Sequence, residues 1–313
     1  MIEQHPPIDA SISTMWAINQ HTDLNKFFYL AHELGFRKIE LNHQLSSDVL
    51  SHVNLDHHQF SSIHEPCPMD TVNPNSVKLD WVISSQDEDF RKLGVQGVRN
   101  TIKLAHDLGA PIVVIHCGNV NTDMSYENKL RIIFTSGNAK SDEYQAIKSE
   151  FIAYRHQYAS PRINAVKKSI VELLDYAEKL DVKLGLENRY HYMDIPTIDE
   201  MEQLLPMGET SRLGFIYDIG HAHTLDRLGF FSHNEWINRF GSRMFGTHIH
   251  DVIGLSDHLA PGLGEIDFKH VAAFLPEDAF RTLEIKPGNT LAQTINGLHL
   301  LLDTGCVRRL LKE

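Results

Sequence analysis

AHDLGAPIVVIHCG, residues 105–118, reads in order as the end of a helix, a break, a buried strand and a side chain able to bind a metal. Gly109 fits the left-handed position that closes a helix. The run PIVVI at 111–115 is continuously apolar, as suits a parallel strand covered on both faces, and His116 stands at its end. The same phrase recurs as AHELGFRKIEL (31–41) and AEKLDVKLGLE (177–187), with Gly35 and Asp181 at the helix-closing place. Each copy is one helix-to-strand connection, and strands alternating with helical stretches argue for βα units and a parallel sheet.

Working outward, eight strand segments are expected at 8–16, 38–43, 60–65, 112–117, 184–189, 214–221, 245–251 and 282–286. Helices are expected at 23–34, 46–57, 88–108, 162–180, 197–205, 233–240, 267–274 and 289–302. Eight such units favour closure, so the fold class is α/β, a (β/α)8 barrel filling 1–313 as a single domain. The stretch 119–161 after the fourth strand is longer than an ordinary βα loop. It mixes polar and aromatic residues, with helical character but no clear caps. It reads as a lid or substrate-shaping insertion on the catalytic face, with a peripheral helical decoration as the alternative.

At 313 residues one large core is the default for such a barrel. A net charge of −12 gives no overall attraction to a polyanion, which disfavours nucleic acid as a partner while leaving room for a local basic groove. Three cysteines make no disulfide framework, and no apolar run reaches the roughly 20 residues that span a bilayer. The opening MIEQHPPIDA lacks a basic segment followed by an apolar one, so the chain is expected in the cytoplasm. There is no P-loop, no GxGxxG after the first strand, no GxSxG and no CxxC pair.

The strand segments share one feature beyond apolarity: most run into Glu, Asp or His. The set is Glu40 and His43, His64, His116, Glu187, Asp218 and His221, His248 and His250, then Glu284. In a (β/α)8 barrel all carboxyl strand ends meet on one face, so these residues converge on one site. Glu187, Asp218, His248 and Glu284 would cap the fifth to eighth strands. Any one of them alone reads as structural. Together, three carboxylates repel one another unless a cation, a proton or an Arg or Lys intervenes. A mainly oxygen donor set suits Mn²⁺, Mg²⁺ or Co²⁺ and admits Zn²⁺.

Arg189 follows Glu187 by two residues, and Lys286 stands in the same relation to Glu284. Each reads either as a grip on a substrate anion or as a salt bridge to a neighbouring acid. Glu40, His43, Trp16 and His250 are read as pocket or supporting residues, with a purely structural role as the alternative. His32, His52, His57, His58 and His106 are expected on the surface away from this face, and Cys117 as a buried, inert thiol.

The segments LENR (186–189), YDIGHAH (217–223), HIHD (248–251), DHLAPGLGEIDF (257–268) and LEIKPG (283–288) resemble the signatures of the xylose isomerase-like TIM barrels. That superfamily includes sugar-phosphate isomerase/epimerase-like proteins, ketose 3-epimerases, 3-dehydroshikimate dehydratases and endonuclease IV. The resemblance implies Glu187, Asp218, His248 and Glu284 as shared metal ligands, with Glu187 and Glu284 also acting as acid and base on opposite sides of the substrate. The implied activity is a divalent-metal-dependent isomerase or epimerase of a small sugar, sugar phosphate or related polyhydroxy carbonyl compound, working through a metal-stabilised enediolate.

His64 and His116 resemble the histidines that complete a second metal with Glu187 in endonuclease IV, and His221 resembles a ligand of its third. In the isomerase-like branch His64 and His116 would instead bond substrate. Aligned on 263–265, the endonuclease pattern of Asp, any residue and His falls on His258, Leu259 and Ala260, so one ligand is lost, although Asp257 and His258 can supply part of a site. One metal is expected, with two as the alternative. An endonuclease IV-like phosphodiester hydrolase, a dehydratase on the same site and a metal-stabilised ligand-binding barrel are the competing readings.

Overall fold

The apolar runs become a closed barrel in the computed structural model, which describes residues 5–18 and 23–310; the first four residues of the opening stretch lie outside them. In chain order the strands are β1 (Ile8–Ser13), β2 (Phe36–Leu41), β3 (Gln59–His64), β4 (Ile112–Ile115), β5 (Lys183–Glu187), β6 (Leu213–Asp218), β7 (Met244–Ile249), β8 (Asp251–Ile253), β9 (Ser256–Leu259) and β10 (Phe280–Leu283). Eight are parallel and close in the order β1-β2-β3-β4-β5-β6-β7-β10, and β8 and β9 form a separate antiparallel pair. The helix-closing positions read from sequence all have positive φ: Gly35 at 95°, Gly109 at 67° and Asp181 at 54°.

Strand alternation divides the apolar residues into two sets. Val113 and Ile115 belong to the large core beneath the helices, whereas Ile112, Val114 and Ile216 form a separate cluster with Phe245 and Phe280 packed against it. A Cβ on Gly214 or Gly246 would lie 2.3 Å from the ring of Phe245 or Phe280 respectively, so glycine makes room for these aromatics. The parity of Val114 and Ile216, carried two residues further, lands on His116 and Asp218. In register, Asp218 pairs with His248, and His248 with Thr282. The interior stack therefore changes from apolar to ionisable at the carboxyl end.

The helices are α1 (Leu24–Glu33), α2 (Ser47–Ser51), α3 (Glu88–Asp107), α4 (Ser125–Thr135), α5 (Asp142–Lys179), α6 (Ile198–Leu204), α7 (Ile219–Arg227), α8 (His233–Phe240), α9 (Phe268–Ala272) and α10 (Leu291–Thr304). Three differences from the sequence expectation have physical causes. The 119–161 stretch is not an uncapped segment before a helix at 162. The Ser141 side chain caps α5, accepting from the Tyr144 amide, and the helix passes through Pro161. Proline removes one internal hydrogen bond, but Ala159, Ile163 and Val166 are buried around it and hold the helix on the core. Second, α7 begins directly after β6, where a strand was expected to reach 221, because the Asp218 carboxylate caps it by accepting from the His221 amide. Third, the β8–β9 hairpin forms between the expected strand and helix, where no element was assigned, and the Asp251 carboxylate holds the turn beyond it by accepting from the Gly262, Gly264 and Ile266 amides.

The first half of α5 and α4 carry an apolar cluster of their own, Leu130, Tyr144, Phe151 and Met193, the last from the loop after β5. Arg155 of α5 pairs with buried Glu200 of α6 at 2.6 Å and fastens this layer. Among the described residues no helix is long and apolar enough to cross a membrane.

Candidate metal centre

Each of Glu187, Asp218, His248 and Glu284 offers one ligand atom, and these atoms lie within 4.8 Å of one another in buried positions. His248 stands among the carboxylates. Its Nδ1 is 2.7 Å from Glu187 Oε1, 3.1 Å from Glu284 Oε2 and 3.8 Å from Asp218 Oδ2. Its Nε2 is 3.0 Å from Glu40 Oε2, which also accepts from Ser62 Oγ at 2.7 Å. Glu40 Oε1 is buried with no partner. A carboxylate behind the imidazole turns the other ring nitrogen toward the cluster, the arrangement that supports a metal-ligating histidine.

The electrostatics test whether a cation fits. Burial disfavours charge on His248, yet Glu284 and Glu40 beside it hold its pKa well above the ordinary imidazole range. Burial also opposes ionisation of Glu187 and Glu284, but Arg189 and His116 beside the first, and His248 and His258 beside the second, keep both well below the usual carboxylate range. The cluster thus gathers anions around one protonated nitrogen, and a divalent cation would replace that proton with a larger positive charge. The donors fit the group.

Asp218 is fixed from several sides. Asn188 exchanges two 2.8 Å bonds with its backbone, and His250 Nε2 lies 3.0 and 3.1 Å from its carboxylate oxygens. The His258 amide donates to His250 Nδ1 at 2.9 Å, so the ring hydrogen is on Nε2 and goes to Asp218. His250 therefore orients a ligand candidate and offers no lone pair. His221 Nδ1 lies 3.0 Å from the Asn188 carbonyl, which places its hydrogen there and leaves Nε2 free, 4.0 Å from Asp257. Asn42 donates to Glu284 Oε1 at 3.2 Å.

On the other side of Glu187 a second group converges. His116 Nε2 is 3.1 Å from Glu187 Oε2 and 3.2 Å from His64 Nε2. The His116 amide donates to Glu65 Oε1 at 3.1 Å, and burial raises that carboxyl to about 6. The His43 ring lies tilted beside His64, centroids 5.2 Å apart, and burial together with His64 lowers its pKa to about 3. Arg189 donates to Glu187 Oε2 and lies 3.6 Å from Asp194.

His258 has a φ of 54° and stacks on His250 at 4.0 Å. Its Nδ1 is 3.1 Å from Asp257 and its Nε2 3.7 Å from Glu284. Burial works against its charge, but these two carboxylates raise it to about 10. Its carbonyl accepts from the Lys286 amide at 2.9 Å and from Asn289 Nδ2 at 3.1 Å. Bonds on both sides of the residue thus hold a backbone conformation unusual for a non-glycine.

Of the remaining sequence candidates, Lys286 points its ammonium to Ser256 Oγ at 2.9 Å rather than to the carboxylates. Trp16 is buried, with Nε1 donating to the Asn289 carbonyl at 2.8 Å. Cys117 is buried and its thiol pKa is pushed up by burial. His32 bonds to the Phe36 carbonyl and lies with His57 around the amino ends of β1 and β2, away from the cluster. Sequence reasoning missed Asn42, Glu65, Asn188, Asp194 and Asn289. Asn42 and Asn188 directly follow the second and fifth strands, and that position was the available signal.

The chain matches a family described as xylose isomerase-like TIM barrel over residues 28–298. Uncharacterized protein MJ1311 of Methanocaldococcus jannaschii is 26% identical over 197 residues, 62% of this chain and 56% of that protein. The chain spans little more than half the length of that curated relative. A D-tagatose 3-epimerase-like protein superposes with a TM-score of 0.63 at 20% identity, covering 95% of this chain and 96% of the other. The IOLI protein with a bound zinc atom superposes with a TM-score of 0.62 at 16% identity, covering 95% and 98%. With the match extending from α1 into α10, the chain belongs to the xylose isomerase-like TIM-barrel family.

Proposed function

We propose that this chain is a divalent-metal-dependent isomerase or epimerase acting on a small sugar, sugar phosphate or related polyhydroxy carbonyl compound. The observation that carries this reading is the pair of buried carboxylates, Glu187 on β5 and Glu284 beyond β10, 2.7 and 3.1 Å from His248 Nδ1. A divalent cation held by Glu187, Asp218, His248 and Glu284 would acidify the carbon between a carbonyl and a hydroxyl. The family's reaction needs a base on one side of that carbon and an acid on the other, roles that this reading gives to the two glutamates. Which removes the proton follows from the hand of the substrate. On this reading His221 Nε2 and the His258 imidazole would bond substrate oxygens. Two solved relatives support the reading by what they are named for, an epimerase-like protein and a zinc-bound one.

The test combines metal content with solvent exchange. The chain purified without chelators is expected to carry about one metal per molecule. With a ketose panel in D₂O it should wash deuterium into the carbon next to the carbonyl, and Glu187→Gln and Glu284→Gln should abolish this. Metal-replete protein that exchanges no substrate proton across ketoses and keto acids would refute the proposal. A dehydratase shares the first proton abstraction and would reveal itself by loss of water from the product. The second reading, an endonuclease IV-like hydrolase, is favoured by His64 and His116 converging on Glu187. Cleavage of abasic DNA by the metal-loaded chain would establish it.

A further inference from the structure

Glu187 turns its two oxygens to two neighbourhoods. Oε1 faces His248 Nδ1 at 2.7 Å, inside the four-residue centre. Oε2 faces His116 Nε2 at 3.1 Å and also takes the Arg189 guanidinium. With His64 Nε2, this second side has three candidate ligand atoms within 4.8 Å. By donor type alone it would hold another cation.

The hydrogen-bond inventory argues otherwise. His64 Nδ1 lies 3.1 Å from the Glu65 carbonyl, so a neutral His64 carries its hydrogen there and presents a lone pair on Nε2. The hydrogen between the two rings, across 3.2 Å, then belongs to His116 Nε2. That one hydrogen is shared between His64 Nε2 and Glu187 Oε2, so Oε2 faces it together with the Arg189 guanidinium. An arginine cannot shed its proton to make way for a metal. Nor is this one free to leave. Its side chain is 16% exposed, and Asp194 lies 3.6 Å from Nε on the far side.

We propose that Arg189 is a built-in cation standing in the charge position of a second metal, and that it limits the chain to one divalent ion. This rests on reading Glu187, Asp218, His248 and Glu284 as a metal site. The consequence is chemical specificity. With the second locus closed, the paired-cation geometry used for phosphodiester hydrolysis is denied.

The experiment counts metal by elemental mass spectrometry on the full chain loaded with Mn²⁺ and desalted, with folding checked by circular dichroism. Wild type and Arg189→Lys should hold about one ion per chain. Arg189→Met and Arg189→Gln should rise to about two, with spin coupling between the ions in the Mn²⁺ resonance spectrum, and Arg189→Met with His116→Ala should return to one. Two ions in the wild type, one of them lost with His116→Ala, would overturn the proposal without any Arg189 variant. So would folded Arg189→Met and Arg189→Gln proteins that stay at one. A wild-type count of zero that persists in the variants refutes the metal centre itself, and this inference falls with it.

Discussion

The backbone amide of His258 donates to Nδ1 of His250 at 2.9 Å, and this bond decides what His250 does. The ring must carry its hydrogen on Nε2, 3.0 Å from Asp218 Oδ1. A β9 residue of the β8–β9 hairpin thereby sets the orientation of a carboxylate on β6. His250→Ala should leave the fold intact and weaken metal binding roughly 10- to 100-fold, the usual effect of losing a partner behind a ligand. Chelator competition measures this; an unchanged affinity would mean that Asp218 is held by Asn188 and the α7 amide alone.

Arg155 and Glu200 form a buried pair, each side chain 5% exposed. Arg155 also donates to the Tyr192 and Asp194 carbonyls, so it joins α5 to the loop that carries Asp194 behind Arg189. Arg155→Met leaves Glu200 buried without its partner and should cost about 3–5 kcal/mol in denaturant unfolding. Arg155→Met with Glu200→Gln should recover part of that loss. If the single variant is as stable as wild type, the outer layer of α4 and α5 is not anchored by this pair.

The barrel was legible because its buried parallel strands are short apolar runs that leave little choice, and because polar residues at their ends broke those runs at a constant phase. Less legible were residues with two duties. Asp218 reads as a strand-end carboxylate, but it is also the cap of α7, and a carboxylate that ends a strand looks the same in sequence as one that starts a helix. Pro161 reads as a boundary, yet the apolar residues around it keep α5 continuous. Asn42 and Asn188 carry no charge and no period, so their place directly after a strand was the one sign that they hold Glu284 and Asp218. Arg189 was recognised with two roles open, and its contacts to Glu187 and Asp194 are those of the salt bridge.

Glu88, at the start of α3, binds the guanidinium of buried Arg91 at 2.9 Å. Its bonds to Arg91 and Lys168 lower its pKa from 4.5 to about 2. A carboxylate depressed in the folded state adds stability above its unfolded pKa and loses it as pH falls through the folded one. Thermal melts should therefore show wild type above Glu88→Gln at pH 6, with the gap closing between about pH 4.5 and pH 2. A gap that does not change with pH would assign the difference to packing.

His258 offers the sharpest separation of chemistry from metal binding. Its Nε2 lies 3.7 Å from Glu284 Oε2, within reach of a substrate oxygen held beside that glutamate, and Asp257 backs the opposite nitrogen at 3.1 Å. Replacing it by alanine would disturb a backbone held at a φ of 54°. Asparagine tolerates that region, so His258→Asn should keep the amide bond to His250 and with it the orientation of Asp218. If His258 gives a proton to substrate, this variant should retain its full metal content while kcat falls roughly 100- to 10,000-fold, the range for a lost general acid. If it is a metal ligand, the metal count falls first and turnover follows it. If it only braces the hairpin, KM and thermal stability move while kcat holds. Metal content, kcat, KM and a melt on this one variant thus separate three roles that the imidazole's position alone leaves equivalent.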